Sequence, residues 1–138
     1  MRTLAQLVAG HSRPLEGHAA LPEAEVMQLL ALLPEWRLDH GSITRTYRFE
    51  NYYQTIAFVN ALAWVVHAED HHPDLLVGYN RCEVRFNTHS VKGISENDFI
   101  CAAKADAMFA QQFSAAQMKS FSEMPLTECV LKRTSHRL

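Results

Sequence analysis

Apolar and polar residues alternate along two parts of the chain, and each part predicts a pair of short β-strands. In the first part, the apolar positions are Trp36, Leu38, Ile43, Tyr47 and Phe49. The sequence Asp39-His40-Gly41-Ser42 inside this part is typical of a turn, so the pattern predicts a hairpin. Arg45 is the one charged residue on the apolar side of the hairpin.

The second part repeats the alternation before and after Asn80-Arg81. Its apolar positions are Leu75, Val77, Tyr79, Cys82, Val84 and Phe86. Arg85 and Asn87 lie on the polar side of the last strand, and His89 leaves the strand on that side if the parity continues. Because the connections inside both pairs are short, the strands are predicted to be antiparallel.

Three stretches show the spacing of a helix with one buried face. The first begins near Pro22 and ends at Pro34, the second runs from Asn51 to Asp70, and the third begins at the capping box Ser95-Glu96-Asn97-Asp98. The order of elements is therefore α-ββ-α-ββ-α. This order predicts an α+β fold, with a four-stranded antiparallel sheet and about three helices packed on one face.

Composition divides the chain into three regions. Residues 1–20 contain glycine, proline and scattered polar residues, and we expect them to form a flexible N-terminal arm. Residues 21–112 hold the predicted strands and helices and form one domain. Residues 113–138 show a weaker pattern and are expected to be a C-terminal extension of unknown role.

The charge and the cysteines narrow the class of protein. The 138-residue chain has a formal net charge of −2, which favours neither nucleic acid nor an anionic membrane as a partner. No apolar run is long enough to span a membrane, and the first residues lack the apolar core of a signal peptide. The three cysteines have no C-x-x-C spacing, which fits a reducing compartment, so we expect a cytoplasmic protein.

Three histidines stand where predicted elements end. The stretch Glu69-Asp70-His71-His72-Pro73-Asp74 closes the long helix, and Asn87-Thr88-His89-Ser90 follows the last strand. Pro73 disfavours helical geometry at His72, so the helix is predicted to end near Asp70. Because the pKa of imidazole lies near neutrality, these side chains could give and take protons at physiological pH.

Two chemistries are open to this cluster, besides a structural role at the surface. In metal-free acid–base catalysis, His71, His72 and His89 would transfer protons, and Asp70 and Asp98 would orient them. Alternatively, His71, His89 and Asp98 would bind zinc or ferrous iron. Adjacent imidazoles diverge, however, and the chain has no H-E-x-x-H motif, so the metal interpretation is less favoured.

The residues around the histidines carry a more specific signal than their spacing. The motifs are the runs 69–75, 88–90 and 95–99, with Tyr79-Asn80 and Gly93 between them. Together they resemble the pterin-4a-carbinolamine dehydratase family, and the resemblance covers residues 21–112. The chain departs from the family's pattern at three positions, which puts secondary contacts in doubt but not the histidines: His67, Leu75 and Asn97.

The resemblance implies a hydro-lyase that acts on a 4a-hydroxytetrahydropterin such as 4a-hydroxytetrahydrobiopterin, the form left when an aromatic amino acid hydroxylase uses its pterin cofactor. Loss of the 4a-hydroxyl as water, with a proton from N5, gives a quinonoid dihydropterin and needs no metal or redox cofactor. The resemblance implies that His71 and His89 transfer protons and that His72 positions the pterin. Residues expected to contact the pterin or orient these groups are Asp70, Pro73, Thr88, Ser90, Val91 and Asp98.

Two alternatives stay open. The domain could bind a pterin without turning it over, or it could be a dimerisation partner of a transcription factor, as some members of this family are. The resemblance also implies a homodimer or homotetramer, and the predicted sheet has at least one exposed edge that could pair. No nucleic-acid or membrane partner is expected.

Overall fold

A computed structural model of the protein describes residues 2–113. Its helices are α1 (Leu4–Ala9), α2 (Glu23–Leu30), α3 (Tyr52–Glu69) and α4 (Glu96–Gln112). Its strands are β1 (Arg37–Asp39), β2 (Ser42–Arg48), β3 (Asp74–Val77) and β4 (Arg81–Phe86), and a 3-10 turn follows at His89–Val91. The predicted C-terminal extension lies, from residue 114 onward, outside the described residues.

The four strands form one antiparallel sheet in the order β1-β2-β4-β3, which confirms the predicted α+β fold. Ile43 of β2 pairs with Phe86 of β4, and Val77 of β3 pairs with Cys82 of β4. Among the described residues the sheet is open, with β1 and β3 as its edge strands. Every residue of β3 is exposed.

The core lies between the sheet and the helices α3 and α4. Phe58, Leu62 and Val66 of α3 are buried at intervals of four residues. α3 therefore meets the core along one row of side chains, and Trp64 lies outside this row with 77% of its surface exposed. Within residues 2–113, no helix combines the length and the apolar character needed to cross a membrane.

Arg45 lies on the apolar side of β2, and its charge is balanced there. Its Nη1 lies 2.7 Å from Oδ1 of Asp106 on α4. The guanidinium also stacks over the ring of Tyr47, 4.2 Å from its centroid. Asp106 accepts further hydrogen bonds from Nε1 of Trp36 and from the hydroxyl of Tyr47, so a paired ion group is built into the edge of the core.

The N-terminal arm carries a helix that the sequence analysis does not predict. In α1 a capping box joins Thr3 and Gln6, and Leu7 is fully buried. A six-residue helix has too few positions to show a period, so its single buried leucine gives little signal. The structure therefore has four helices within residues 2–113 where the sequence predicts about three.

Candidate active site

The connection between α3 and β3 places two of the three histidines. Asp70 follows the last helical residue and adopts a left-handed conformation, with φ 49° and ψ 42°. The backbone N–H of His71 donates to the carbonyl oxygen of Val66, which closes the helix end. The chain then turns through His72 into β3, as the Pro73 signal predicts.

His71 is paired with Asp98, a residue 27 positions later in the chain. Nε2 of His71 lies 2.6 Å from Oδ1 of Asp98. The imidazole is 12% exposed and the carboxylate is fully buried. The ring of His71 also stacks on Phe86 of β4, with the centroids 6.0 Å apart and the planes 10° from parallel. The imidazole is thus held both by a charge-assisted hydrogen bond and by an aromatic surface.

Asp98 is itself fixed by the segment that follows β4. Its Oδ2 accepts hydrogen bonds from Oγ1 of Thr88, at 2.8 Å, and from the backbone N–H of Ser95, at 2.9 Å. The bond from Ser95 is half of the capping box that begins α4. One carboxylate therefore starts the helix and holds the imidazole of His71.

A cleft of about 330 Å³ opens beside this pair. Its volume falls in the range of small-molecule sites. His72 and His89 are exposed side chains on its wall, and the more buried His71 also lines it. The residues that line the cleft are Asp70, His71, His72, Asp74, Arg85, Asn87, Thr88, His89 and Ser90.

Most of the site residues expected from the sequence meet in this cleft. Pro73 and Val91 flank it without lining it, and Asp98 lies behind His71. Asp70 lines the cleft, but within residues 2–113 its carboxylate makes no hydrogen bond or ion pair with an imidazole. That it orients one stays a prediction. The hydroxyl of Thr88 is directed to Asp98 and Ser95.

The metal alternative finds no geometric support in the described part of the chain. His71, His89 and Asp98 are not assembled as a ligand set there. Within residues 2–113, no group of three or more histidine, cysteine, aspartate or glutamate side chains is arranged to hold an ion.

Three lining residues are missing from the sequence-based set: Asp74, Arg85 and Asn87. Arg85 and Asn87 share the polar parity of β4 with His89, so the alternation contains the signal for both. Arg85 donates from Nη1 to Oδ2 of Asp39 and from Nη2 to its carbonyl oxygen, each at 2.9 Å. Its hydrogen bond holds the pKa of the Asp39 carboxyl below the ordinary value.

Fold and site together define an α+β domain in which the end of α3, the strands β3 and β4 and the segment after β4 form a polar cleft lined by histidine. The profile of the Pterin 4 alpha carbinolamine dehydratase family matches residues 19–108. The chain belongs to this family.

Curated relatives agree with the family. A protein of Bdellovibrio bacteriovorus is 52% identical over 118 residues, which are 83% of this chain and 97% of that protein. One from Xanthomonas campestris pv. campestris is also 52% identical over 118 residues, 83% of this chain and all of that protein. Both carry the provisional name pterin-4-alpha-carbinolamine dehydratase.

A solved structure is similar as well. It is the crystal structure of a transcriptional coactivator/pterin dehydratase from Brucella melitensis. It matches with a TM-score of 0.61 and 33% identity over 64% of this chain and 97% of that chain.

Proposed function

We propose that this protein dehydrates a 4a-hydroxytetrahydropterin to a quinonoid dihydropterin by histidine acid–base catalysis. In this reaction the bond between C4a and its hydroxyl oxygen breaks, and an acid supplies the proton that lets the oxygen leave as water. A base removes the proton of N5, and the electron pair of that N–H bond forms the double bond between N5 and C4a. The protein therefore has to offer one proton donor and one proton acceptor within reach of a single ligand.

The pairing of His71 with Asp98 is the observation that carries the proposal. Because Nε2 donates to the carboxylate, Nδ1 is the ring nitrogen left to exchange a proton with a ligand. The buried negative charge stabilises the imidazolium that forms when His71 accepts a proton. The capping box of α4 and the bond from Thr88 hold this carboxylate in place beside His71.

A second imidazole on the same cleft supplies the other half of the reaction. His89 begins the 3-10 turn after β4, and we propose that it and His71 are the proton-transfer pair. His72 lines the cleft beside them and would position the pterin. The side chain or backbone of Ser90 and the neighbouring residues Pro73 and Val91 would contact the flat heterocycle.

The cellular setting follows from this activity as part of the same proposal. A dehydratase of this kind supports the recycling of a pterin cofactor that aromatic amino acid hydroxylation uses. We propose that this recycling takes place in the cytoplasm.

We also propose that the protein is a homodimer or homotetramer. The exposed edge strand β3, with Leu76 59% exposed, supports self-association, because an unpaired apolar edge can add a strand from another chain.

A stopped-flow absorbance assay tests the proposed function. A hydroxylase generates the 4a-hydroxytetrahydropterin, and its decay is followed without protein, with the untreated protein and with the EDTA-dialysed protein. We expect faster decay with the wild-type protein and with His18→Ala, a control that removes an exposed histidine outside the residues that line the cleft. The acceleration should be lost with His71→Ala and with His89→Ala.

Two results would contradict the proposal. If the folded wild-type protein does not accelerate the decay, the enzyme assignment is wrong, and tight binding of a dihydropterin in calorimetry would then identify a binding protein. If acceleration is lost on chelation and returns with zinc or iron, the metal-free mechanism is wrong.

A further inference from the structure

The N-terminal arm binds the end of α3 directly before the paired histidines. The backbone N–H of Ser12 donates to Oε2 of Glu69 at 2.8 Å, and the hydroxyl of Ser12 donates to the carbonyl oxygen of Glu69. Nδ1 of His11 lies 3.0 Å from Oε1 of the same glutamate. The carboxylate of Glu69 is only 5% exposed, and Lys104 approaches it from α4 at 3.4 Å. The arm thus caps the helix whose exit carries His71.

The next residue of the arm binds the start of α4. The backbone N–H of Arg13 donates to Oδ1 of Asn97 at 3.2 Å, and Nδ2 of Asn97 donates to the carbonyl oxygen of Arg13 at 2.7 Å. Asn97 is buried and immediately precedes Asp98. Its amide matches the backbone of the arm with one donor and one acceptor.

The end of the arm contacts the third segment of the site. A Cβ atom at Gly93 would lie 2.8 Å from Cβ of Ala20, so the two backbones approach closely. The backbone N–H of Leu21 donates to the carbonyl oxygen of Ile94 at 2.9 Å. Gly93 in turn pairs with Thr88, the residue before His89. The arm therefore touches all three segments that carry the histidines and Asp98.

We propose that His11-Ser12-Arg13 is a clasp that sets the position of His71 against Asp98. These consecutive residues bond Glu69, two positions before His71, and Asn97, one position before Asp98. His71 and Asp98 lie at two helix ends that are 27 positions apart in the chain, and the clasp fixes the distance between those ends from outside the cleft. Ser12 and Asn97 are then positioning residues that touch no ligand.

The polar contacts of the clasp contribute unequally to holding it in place. His11 is 79% exposed, so its ion pair with Glu69 is screened by water and contributes little. Ser12 bonds the buried Glu69, and Asn97 is itself buried where it bonds the backbone of Arg13, so these bonds are less exposed to water than that of His11. Substitutions at Ser12 and Asn97 are therefore the ones that test the clasp.

The test uses the full chain and two readouts. The first is the NMR signal of the His71 imidazole, the ring ¹⁵N shifts and the N–H proton shared with Asp98, assigned by its loss in His71→Ala. The second is the kinetics of dehydration, which depends on the proposed function, whereas the NMR signal does not. Ser12→Ala removes the hydroxyl and Ser12→Thr restores it. Asn97→Ala removes both bonds to the arm. Arg13→Ala is the matched control, because Arg13 contributes only backbone atoms to the clasp.

We expect Ser12→Ala and Asn97→Ala to broaden and shift the His71 signal and to speed exchange of its proton with water. Ser12→Thr and Arg13→Ala should keep the wild-type signal. We expect kcat to fall about 10-fold to 100-fold in the two test variants with KM changed less than twofold, because misplacement of a reacting group acts on the chemical step.

Three results would contradict the proposed role of the clasp. The first is a wild-type His71 signal in both test variants, and the second is an equal change in Arg13→Ala. The third is loss of the signal in Ser12→Thr to the same extent as in Ser12→Ala. If Asn97→Ala does not fold, the comparison of Ser12→Ala with Ser12→Thr is sufficient to test the proposed clasp. If the wild type proves inactive as a dehydratase, the proposed function fails while the NMR comparison still decides on the clasp.

Discussion

Nε2 of His71 lies 2.6 Å from Oδ1 of Asp98, and this aspartate has no exposed surface. The same carboxylate holds the first turn of α4 through Ser95, so the site and the fold share one group. The role of the Asp98 carboxylate in the site can therefore be tested by a substitution that keeps the shape of the side chain and removes its charge.

Replacing Asp98 by asparagine should lower kcat for dehydration by about 10²-fold to 10⁴-fold, the range of general acid–base contributions. An amide cannot stabilise the imidazolium of His71 and can reverse the tautomer of the ring. Stopped-flow kinetics measures the loss, and circular dichroism checks that the helices remain. Glu96→Gln is the control, since Glu96 is an acid in the same helical turn that faces Arg2. A kcat within twofold of wild type would exclude an orienting role for Asp98.

Stability in acid should depend on Glu69. Burial raises the pKa of its carboxyl, but the hydrogen bonds from Ser12 and His11 and the charge of Lys104 outweigh burial, so the pKa lies below its ordinary value of 4.5. A lowered pKa in the folded state stabilises the protein above pH 4.5, and this contribution is lost as the pH falls through the folded-state pKa.

The variant Glu69→Gln should therefore lose stability at pH 7 and show a flatter decline of unfolding free energy below pH 4.5. Urea unfolding at several pH values measures both effects. Glu23→Gln, an exposed acid in the first turn of α2, should leave the profile near wild type. Parallel curves for wild type and Glu69→Gln would show that this carboxyl does not contribute to acid stability.

The ion pair of Arg45 and Asp106 should matter more for stability than a surface pair. Replacing Arg45 by methionine leaves a partly buried carboxylate without its cation and should cost about 1–3 kcal/mol of unfolding free energy. Replacing Arg37 by methionine breaks a more exposed pair with Glu83 and should cost less than about 1 kcal/mol. Urea unfolding of the two variants in parallel makes the comparison, and equal losses would contradict it.

Two cysteine thiols should react slowly in the folded protein. Burial raises the pKa of Cys82 to about 11, with a contribution from the charge of Glu83, and burial raises the pKa of Cys101 to about 12. Thiolate is the reactive form, so few of these groups can react at pH 8. In a Cys129→Ser background, Ellman's reagent should label neither thiol quickly without denaturant. Rapid labelling of a thiol in the folded protein would mean that its site opens.

Self-association should depend on the edge strand β3. Leu76→Lys places a charge on this exposed strand and should shift sedimentation toward the monomer, because charged edges resist strand pairing. Met27→Lys changes a similarly exposed apolar side chain on α2 and should leave the sedimentation pattern unchanged. An oligomer that persists in Leu76→Lys would place the interface elsewhere, and a wild-type monomer would refute the proposed oligomer.

Local patterns predict the elements well. Alternation around the turn at 39–42 predicts the first hairpin, and Pro73 predicts that α3 ends at the histidines. The capping box at Ser95 predicts the start of α4. These signals are informative because strands, helix ends and caps depend on interactions between residues that are close in sequence.

The sequence by itself determined the order of elements from α2 onward, the antiparallel sheet, and the two segments that carry His71, His72 and His89. Only the tertiary structure decided that Asp98 meets the imidazole of His71, and that the N-terminal arm binds Glu69 and Asn97. These contacts join residues 27 to 84 positions apart. No local preference encodes such a contact, because the packing of two helix ends against one sheet sets which distant side chains meet.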